Sequence, residues 1–276
     1  MGLVINTNIA SINAQRNLSR TEDSLNTSLA RLSSGMRITA AKDDAAGLAI
    51  SERLNAQIRG LNQAQRNASD GISLVQVAEG SLNEVGSILI RMRELAVQAA
   101  TGTYGTEERG YLQNEFGQLM LEIDRIADVT DFNGTPLLDG TASIDLQVGI
   151  NNASSDRITI SLGAMSASGI GLSGVQISGS TGLNAQSALD AIDNAINAVS
   201  QSRGNLGAIQ NRLSSTVKNL STQSENLSAA NSRIRDVDVA SETVEMTRTQ
   251  ILMKAGISVL AQANQLPAMA LTLISG

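Results

Sequence analysis

The 276 residues include no cysteine, no histidine, no tryptophan and only two prolines. Without thiol or imidazole the chain has no disulfides, no Ser–His or Cys–His nucleophile pair and none of the commonest zinc ligands. We therefore expect no enzyme, cofactor or metal. Four aromatic residues, Tyr104, Tyr111, Phe116 and Phe132, are too few for the usual large globular core. Twenty basic residues against twenty-six acidic ones leave a net charge of -6, and the basic ones are scattered. Phosphate neutralisation needs clustered Lys and Arg, so no nucleic-acid partner is expected. No apolar run reaches the roughly eighteen residues of a membrane span, and the start "MGLVINTNIASINAQ" lacks the basic stretch and small-residue cleavage site of a conventional leader.

What the chain does have is Ala, Leu, Ile and Val, a mixture suited to long helices packed side by side. Leu54, Leu61, Ala68, Val75, Leu82, Leu89 and Ala96 stand seven apart, with Ile58 and Ile72 between them. This heptad seam predicts one helix over residues 45–99. Ile192, Val199, Leu206, Leu213, Leu220, Leu227 and Ile234 form a matching seam. Each helix spans about fifty residues, roughly 75 Å, and equal lengths invite side-by-side packing. After the turn "TGTYGTEERG", Leu112, Phe116, Leu119, Ile123 and Ile126 predict a shorter helix that returns antiparallel along the first, until "DFNGTP" breaks it.

Two alternating stretches, "SIDLQVGI" and "DRITISL", flank "NNASS" and read as a β-hairpin with a five-residue loop. From Gly163 to Gly182 the sequence is rich in Gly, Ser and Ala, which predicts an irregular, mobile connection. The ends carry their own stripes. Residues 1–15 hold no charged side chain, and none follows Lys254. Ile5, Ile9 and Ile12, then Leu18, Leu25, Leu29 and Leu32, repeat at helical spacing; near the other end Ile257, Leu260, Leu266, Leu271 and Ile274 supply a matching apolar set. About a dozen apolar side chains in residues 256–276 offer some 15–25 kcal/mol on full burial. Ordering the backbone costs about 1–2 kcal/mol per residue, so this segment gains from folding only against another surface.

Three local motifs tempt other readings. "GIGLSG" at 169–174 has dinucleotide-site glycine spacing, but no buried strand precedes it and no helix opens at it. "KDD" at 42–44 could pair carboxylates; capping of the helix that starts near Ala45 by Asp43 or Asp44 is simpler. Pro267 falls inside the apolar tail, where it removes a helical donor and either bends the helix or weakens its order.

The segments "INTNIASINAQRNL", "RLSSGMRITAAKDDAAGLAIS" and "ILMKAGISVLAQANQ", with "IRMRELAVQAATGT", "EIDRIADVTDFNG" and "AANSRIRDVDVASETVEMTRTQ", closely resemble bacterial flagellins. The resemblance covers roughly residues 1–162 and 185–276. It implies a mainly α fold: a long-helix coiled-coil bundle with one small β-hairpin region, whose N- and C-terminal helices pair. The expected parts are 1–44, the N-terminal half of an inner coiled coil and its spacer; 45–162, the first part of the core bundle with the hairpin; 163–184, a short variable connection; 185–235, the C-terminal core helix; and 236–276, the other half of the inner coiled coil.

The resemblance further implies a secreted subunit of the extracellular filament, passed through the flagellar type III apparatus. Its implied partners are other copies of itself, an export chaperone over about Val237 to Gly276, the filament cap and the hook-junction proteins. A flagellin-sensing Toll-like receptor is implied at Arg91, Leu95, Gln98 and Glu115; a basic residue that strongly recognised relatives carry is replaced here by Leu119. Self-assembly is expected to use Ile5, Ile9, Ile12, Leu29, Leu32, Ile257, Leu260, Leu266, Leu271 and Ile274. Competing readings are a hook–filament junction protein, an adhesin or enzyme on a helical bundle, and terminal helices lying on a membrane. The last is disfavoured because residues 256–276 present Ser, Gln, Asn and Thr rather than Lys and Arg.

Overall fold

The computed structural model describes residues 7–140 and 143–275, with side chains as far as Gln265. Five helices dominate: α1 (Ile9–Ser34), α2 (Ala45–Ala100), α3 (Thr106–Val129), α4 (Leu183–Arg235) and α5 (Val239–Ser275). Two small antiparallel pairs lie between α3 and α4: β1 (Asp131–Phe132) with β2 (Thr135–Pro136), and β3 (Ser143–Gln147) with β4 (Arg157–Ser161). The chain forms two compact units, Gln57–Glu225 and a second made of Met1–Ala56 with Asn226–Gly276.

In Gln57–Glu225 the two heptad seams meet. Leu61, Ala68, Val75, Leu82, Leu89 and Ala96 are buried on α2, as are Ile192, Val199, Leu206, Leu213 and Leu220 on α4. Arg93 pairs with Asp193 at 2.7 Å, and Ser224 donates to Asn62 at 2.9 Å, which fixes an antiparallel register. Helix α3 adds Phe116, Ile123 and Ala127 to the same core. It too runs antiparallel to α2: Arg91 reaches Glu115 near one end, and Thr130 reaches Ser81 near the other.

Helix α2 ends with no basic residue in its last turn, so its final carbonyls need donors from elsewhere. Arg109 supplies them. It is 3% exposed, and its guanidinium donates to the carbonyls of Ala99 at 2.8 Å and Thr101 at 3.1 Å, with Gly179 at 3.3 Å. The cation also suits the negative end of the helix.

The β3–β4 pair is the expected hairpin, with Ile144 opposite Ile160 and Leu146 opposite Ile158. Its connection is longer than the five residues expected, and a 3-10 turn at Ser154–Asp156 occupies part of it. Sequence reading missed the β1–β2 pair. Asn133 and Gly134 both have positive φ, 52° and 78°, the geometry of the two-residue hairpin that Asn-Gly favours.

Residues 163–182 are irregular, as expected, but the expectation of a mobile connection is corrected. Leu172 and Ile177 are fully buried, and Met165, Ala167 and Ile170 nearly so. Side chains of α3 hold the backbone: Asp124 accepts from the Ala167 amide at 2.7 Å, and Gln113 accepts from that of Ile177 at 2.6 Å. Small residues here let the chain lie close over the helices rather than free it.

Candidate functional site

In the unit formed by the two chain ends, α1 and α5 lie antiparallel. Asn8 donates to the Ala263 carbonyl at 2.7 Å, Ser11 to the Asn264 side chain at 2.8 Å, and Arg31 approaches Glu242 at 3.7 Å. The seam mixes small and large residues: Leu18, Leu25 and Leu32 of α1 recur every seven positions and are buried or half-buried, as Met246, Met253 and Leu260 of α5 are half-buried. Along α5, Thr249, Gly256 and Ala263 recur every seven positions and face inward, with Thr249 at 3% and Ala263 at 6% exposed. A Cβ at Gly256 would stand 3.3 Å from Leu18 Cδ1, so the glycine sets how closely the helices approach. The Thr249 hydroxyl is satisfied by the Glu245 and Met246 carbonyls of its own helix. On α1, Leu25 and Ser28 are buried, and Leu18 and Leu32 half-buried.

Of the large apolar side chains expected in this seam, Leu18, Leu25, Leu32 and Leu260 are buried or half-buried and the others with described side chains face away from it. Ile9, Ile12 and Leu29 are 56%, 47% and 45% exposed, and Ile257 is 53% exposed. Leu32 and Leu260 are half-buried. Ile5 lies outside the described residues, as do the side chains of Leu266, Leu271 and Ile274. Nearer the start of α5, Val239, Val244, Ile251 and Leu252 line an open apolar groove on one face of that helix. Helical spacing had located the apolar residues without telling which face met the partner helix.

The segments that follow α1 and α4 meet each other. Gly35 ends α1 in the left-handed region at φ 70°, where glycine carries no steric penalty. Met36 then bridges Asp236; the Val237 amide donates to Gly35 at 3.1 Å, and the Arg37 amide to Arg235 at 2.6 Å. Arg235 also pairs with Glu52 at 2.6 Å. Of the two capping candidates, Asp44 is the one that caps α2. Asp44 accepts from the Gly47 amide at 2.8 Å at the start of α2, while Asp43 closes the preceding turn on the Thr39 and Ala40 amides. The Thr39 hydroxyl, with those amides, holds the Asp43 carboxyl below the usual aspartate value.

The other candidate residues lie in Gln57–Glu225. Arg91 is half-exposed between Glu94 and Glu115, each at 2.9 Å, and these carboxylates raise its pKa. Gln98 is exposed and donates to the Tyr104 hydroxyl at 3.0 Å. Leu95, expected beside them, is 1% exposed and packs inward. Leu119 is half-buried against the core. Among the described residues no cluster of three or more His, Cys, Asp or Glu could hold a metal, and no helix is long and apolar enough to cross a membrane.

Residues 5–143 match the bacterial flagellin N-terminal helical region, and residues 189–274 match the bacterial flagellin C-terminal helical region. The flagellin of Halalkalibacterium halodurans is 51% identical over 273 residues, spanning 99% of this chain and all of that protein. The chain belongs to the flagellin family.

A flagellar filament 33 kDa core protein of Treponema phagedenis is 44% identical, over 99% of this chain and the whole of that one. A solved flagellar hook-associated protein from Vibrio parahaemolyticus shares the fold alone, with a TM-score of 0.59 and 17% identity over 70% of this chain and all of that one. Flagellins are structural proteins. This one is a structural subunit of the bacterial flagellar filament, not an enzyme. It is a short form, with only residues 144–188 between the two matched regions and no large outer domain among them.

Proposed function

We propose that the filament grows by covering the outward apolar faces of the α1–α5 pair with neighbouring copies. One observation carries this reading: the pair closes along one face of each helix and leaves Ile9, Ile12, Leu29 and Ile257 outside. Each such side chain is about half exposed and has roughly 1 kcal/mol still to gain from full burial, whereas ordering the backbone costs about 1–2 kcal/mol per residue. A lone subunit has little to gain from ordering its ends, whereas an incoming one gains at each new contact, so folding of the ends is coupled to growth. In this reading the half-buried Leu32 and Leu260 serve assembly through the α1–α5 seam itself, and Ile5, Leu266, Leu271 and Ile274 are assigned to assembly with them.

The test is removal of residues 256–276. Seeded elongation of purified subunits is expected to stop while Gln57–Glu225 stays folded, with its helical signal and melting retained. Normal filaments from the truncated chain would sink the mechanism.

The same exposed surface needs cover before assembly. An export chaperone over Val237 to Gly276 fits the groove of Val239, Val244, Ile251 and Leu252, and passage through the type III apparatus places the filament outside the cell. The filament cap and hook-junction proteins meet these terminal helices at the two ends of the polymer.

A second role, as ligand of a flagellin-sensing Toll-like receptor, rests on the outward placement of Arg91, Gln98 and Glu115 on two neighbouring helices. Leu95 contributes by fixing the turn that carries Arg91 and Gln98. Leu119, in place of a basic residue, weakens the site. Binding of subunits to the receptor ectodomain is expected to fall on Arg91→Ala and to rise on Leu119→Arg; indifference to both rejects the assignment.

A further inference from the structure

In an α-helix the carbonyl of each residue accepts from the amide four residues on. For Ala263 that position is Pro267, which has no N–H to give. Helix α5 nevertheless runs from Val239 to Ser275. The Ala263 carbonyl is thus an acceptor its own helix leaves open, in a residue only 6% exposed. Water has little access to such a group, and an unmet buried acceptor is costly.

The missing donor comes from α1. Asn8 Nδ2 donates to this carbonyl at 2.7 Å, while Asn8 Oδ1 accepts from the Ser11 amide at 3.0 Å and caps α1. One side chain serves both helices. Ser11 reinforces the junction through its hydroxyl, which donates to Asn264 Oδ1 at 2.8 Å.

We infer that Pro267 and Asn8 form a register lock for the pairing of the terminal helices. The seam by itself specifies register weakly, because Thr249, Gly256 and Ala263 recur every seven residues and a slip of one heptad again sets small residues against α1. Pro267 is the only proline in α5, so it opens one interior carbonyl and marks one position along the helix. Asn8 reads that mark. This answers what the proline does in an otherwise uninterrupted helix: it exports a hydrogen-bond acceptor to the partner. A single polar residue in an apolar seam fixes register in coiled coils by the same logic.

The lock rests on assembly through α1 and α5, and its test separates the two. Full-length subunits are compared by their critical concentration in seeded elongation. Asn8→Ser keeps a capping oxygen but is too short to reach Ala263, and Pro267→Ala restores the amide at 267. Asn8→Ser is expected to raise the critical concentration about tenfold in the native background and less than about twofold beside Pro267→Ala. Equal factors in both backgrounds, or no effect in the native one, overturn the lock while leaving assembly through the termini intact. A second measurement needs no variant. In native filaments labelled with side-chain 15N asparagine and carbonyl 13C alanine, magic-angle-spinning spectra are expected to connect Asn8 with Ala263, and absence of that correlation also overturns the lock.

Discussion

In Gln57–Glu225 the large side chains point inward: Leu82, Leu89, Met92, Phe116, Ile123, Leu206 and Leu213 are all fully buried. In the paired termini Leu18, Leu25 and Leu32 of α1 and Thr249, Gly256 and Ala263 of α5 face inward, while Ile9, Ile12, Ile251, Leu252 and Ile257 stand about half exposed or more. Both regions are built from heptads on long antiparallel helices, so periodicity does not distinguish them. The number of elements that share the core does. In Gln57–Glu225, α3, the β3–β4 pair and residues 163–182 all pack with α2 and α4. Two terminal helices paired with each other cover one face of each and leave the burial of Ile9, Ile12 and Ile257 to other molecules.

The sharpest way to break this contrast is to hollow out the complete core. Phe116→Ala, at a fully buried position on α3, is expected to cost about 3–5 kcal/mol. Denaturant unfolding of the monomer reads it directly. Where the variant remains folded, seeded elongation should change little, because the terminal faces are untouched.

The converse change overfills the close seam. Gly256→Val adds atoms where a Cβ alone would already stand 3.3 Å from Leu18 Cδ1. Overpacking of this kind costs about 1–3 kcal/mol, and here it should appear as a higher critical concentration. Monomer unfolding of Gln57–Glu225 should stay as it was. A milder change on the outer face is Ile257→Ser. Since Ile257 is 53% exposed, roughly half of its burial is left for a neighbour, about 1 kcal/mol. The critical concentration should rise about fivefold with no effect on the monomer; an unchanged value would mean that no neighbour covers this face.

Much of this contrast was legible in the sequence. The seams of α2 and α4, the return of α3 and the β3–β4 hairpin all follow from spacing and turn residues, which are local. What was not legible depends on a partner element. Arg109 reads as a solvated charge in "EERG" and becomes a buried cap only because α2 ends beside it without a basic residue of its own. Residues 163–182 read as loose because they are small, yet smallness is what lets Leu172 and Ile177 reach the core. Likewise Ile9 and Ile12 share helical spacing with Leu18, Leu25 and Leu32, yet only the three leucines turn toward the partner helix. Which face pairs depends on that partner, and only the amide missing at Pro267 hinted which carbonyl of α5 would look outward for a donor.

The smallest expected effects compare one exposed carboxylate from each region. Arg93 donates to Asp193 at 2.7 Å and holds its pKa below the usual value. Asp43 is held low chiefly by the Thr39 hydroxyl, then by the Ala40 and Thr39 amides. A carboxylate with a lowered folded pKa contributes stability that is present above its unfolded pKa, about 3.9. That stability is lost as the pH falls through the folded value below it. Asp193→Asn and Asp43→Asn should therefore each lower the melting temperature slightly at pH 7, and the deficit should shrink below about pH 4. Salt separates the causes. At 1 M the screening length is only about 3 Å, so the Asp193 deficit should fade, whereas hydrogen bonds from neutral groups should preserve most of the Asp43 deficit. If both deficits respond to salt alike, the spacer turn depends on charge as the α2–α4 pair does, and the two regions differ in packing alone.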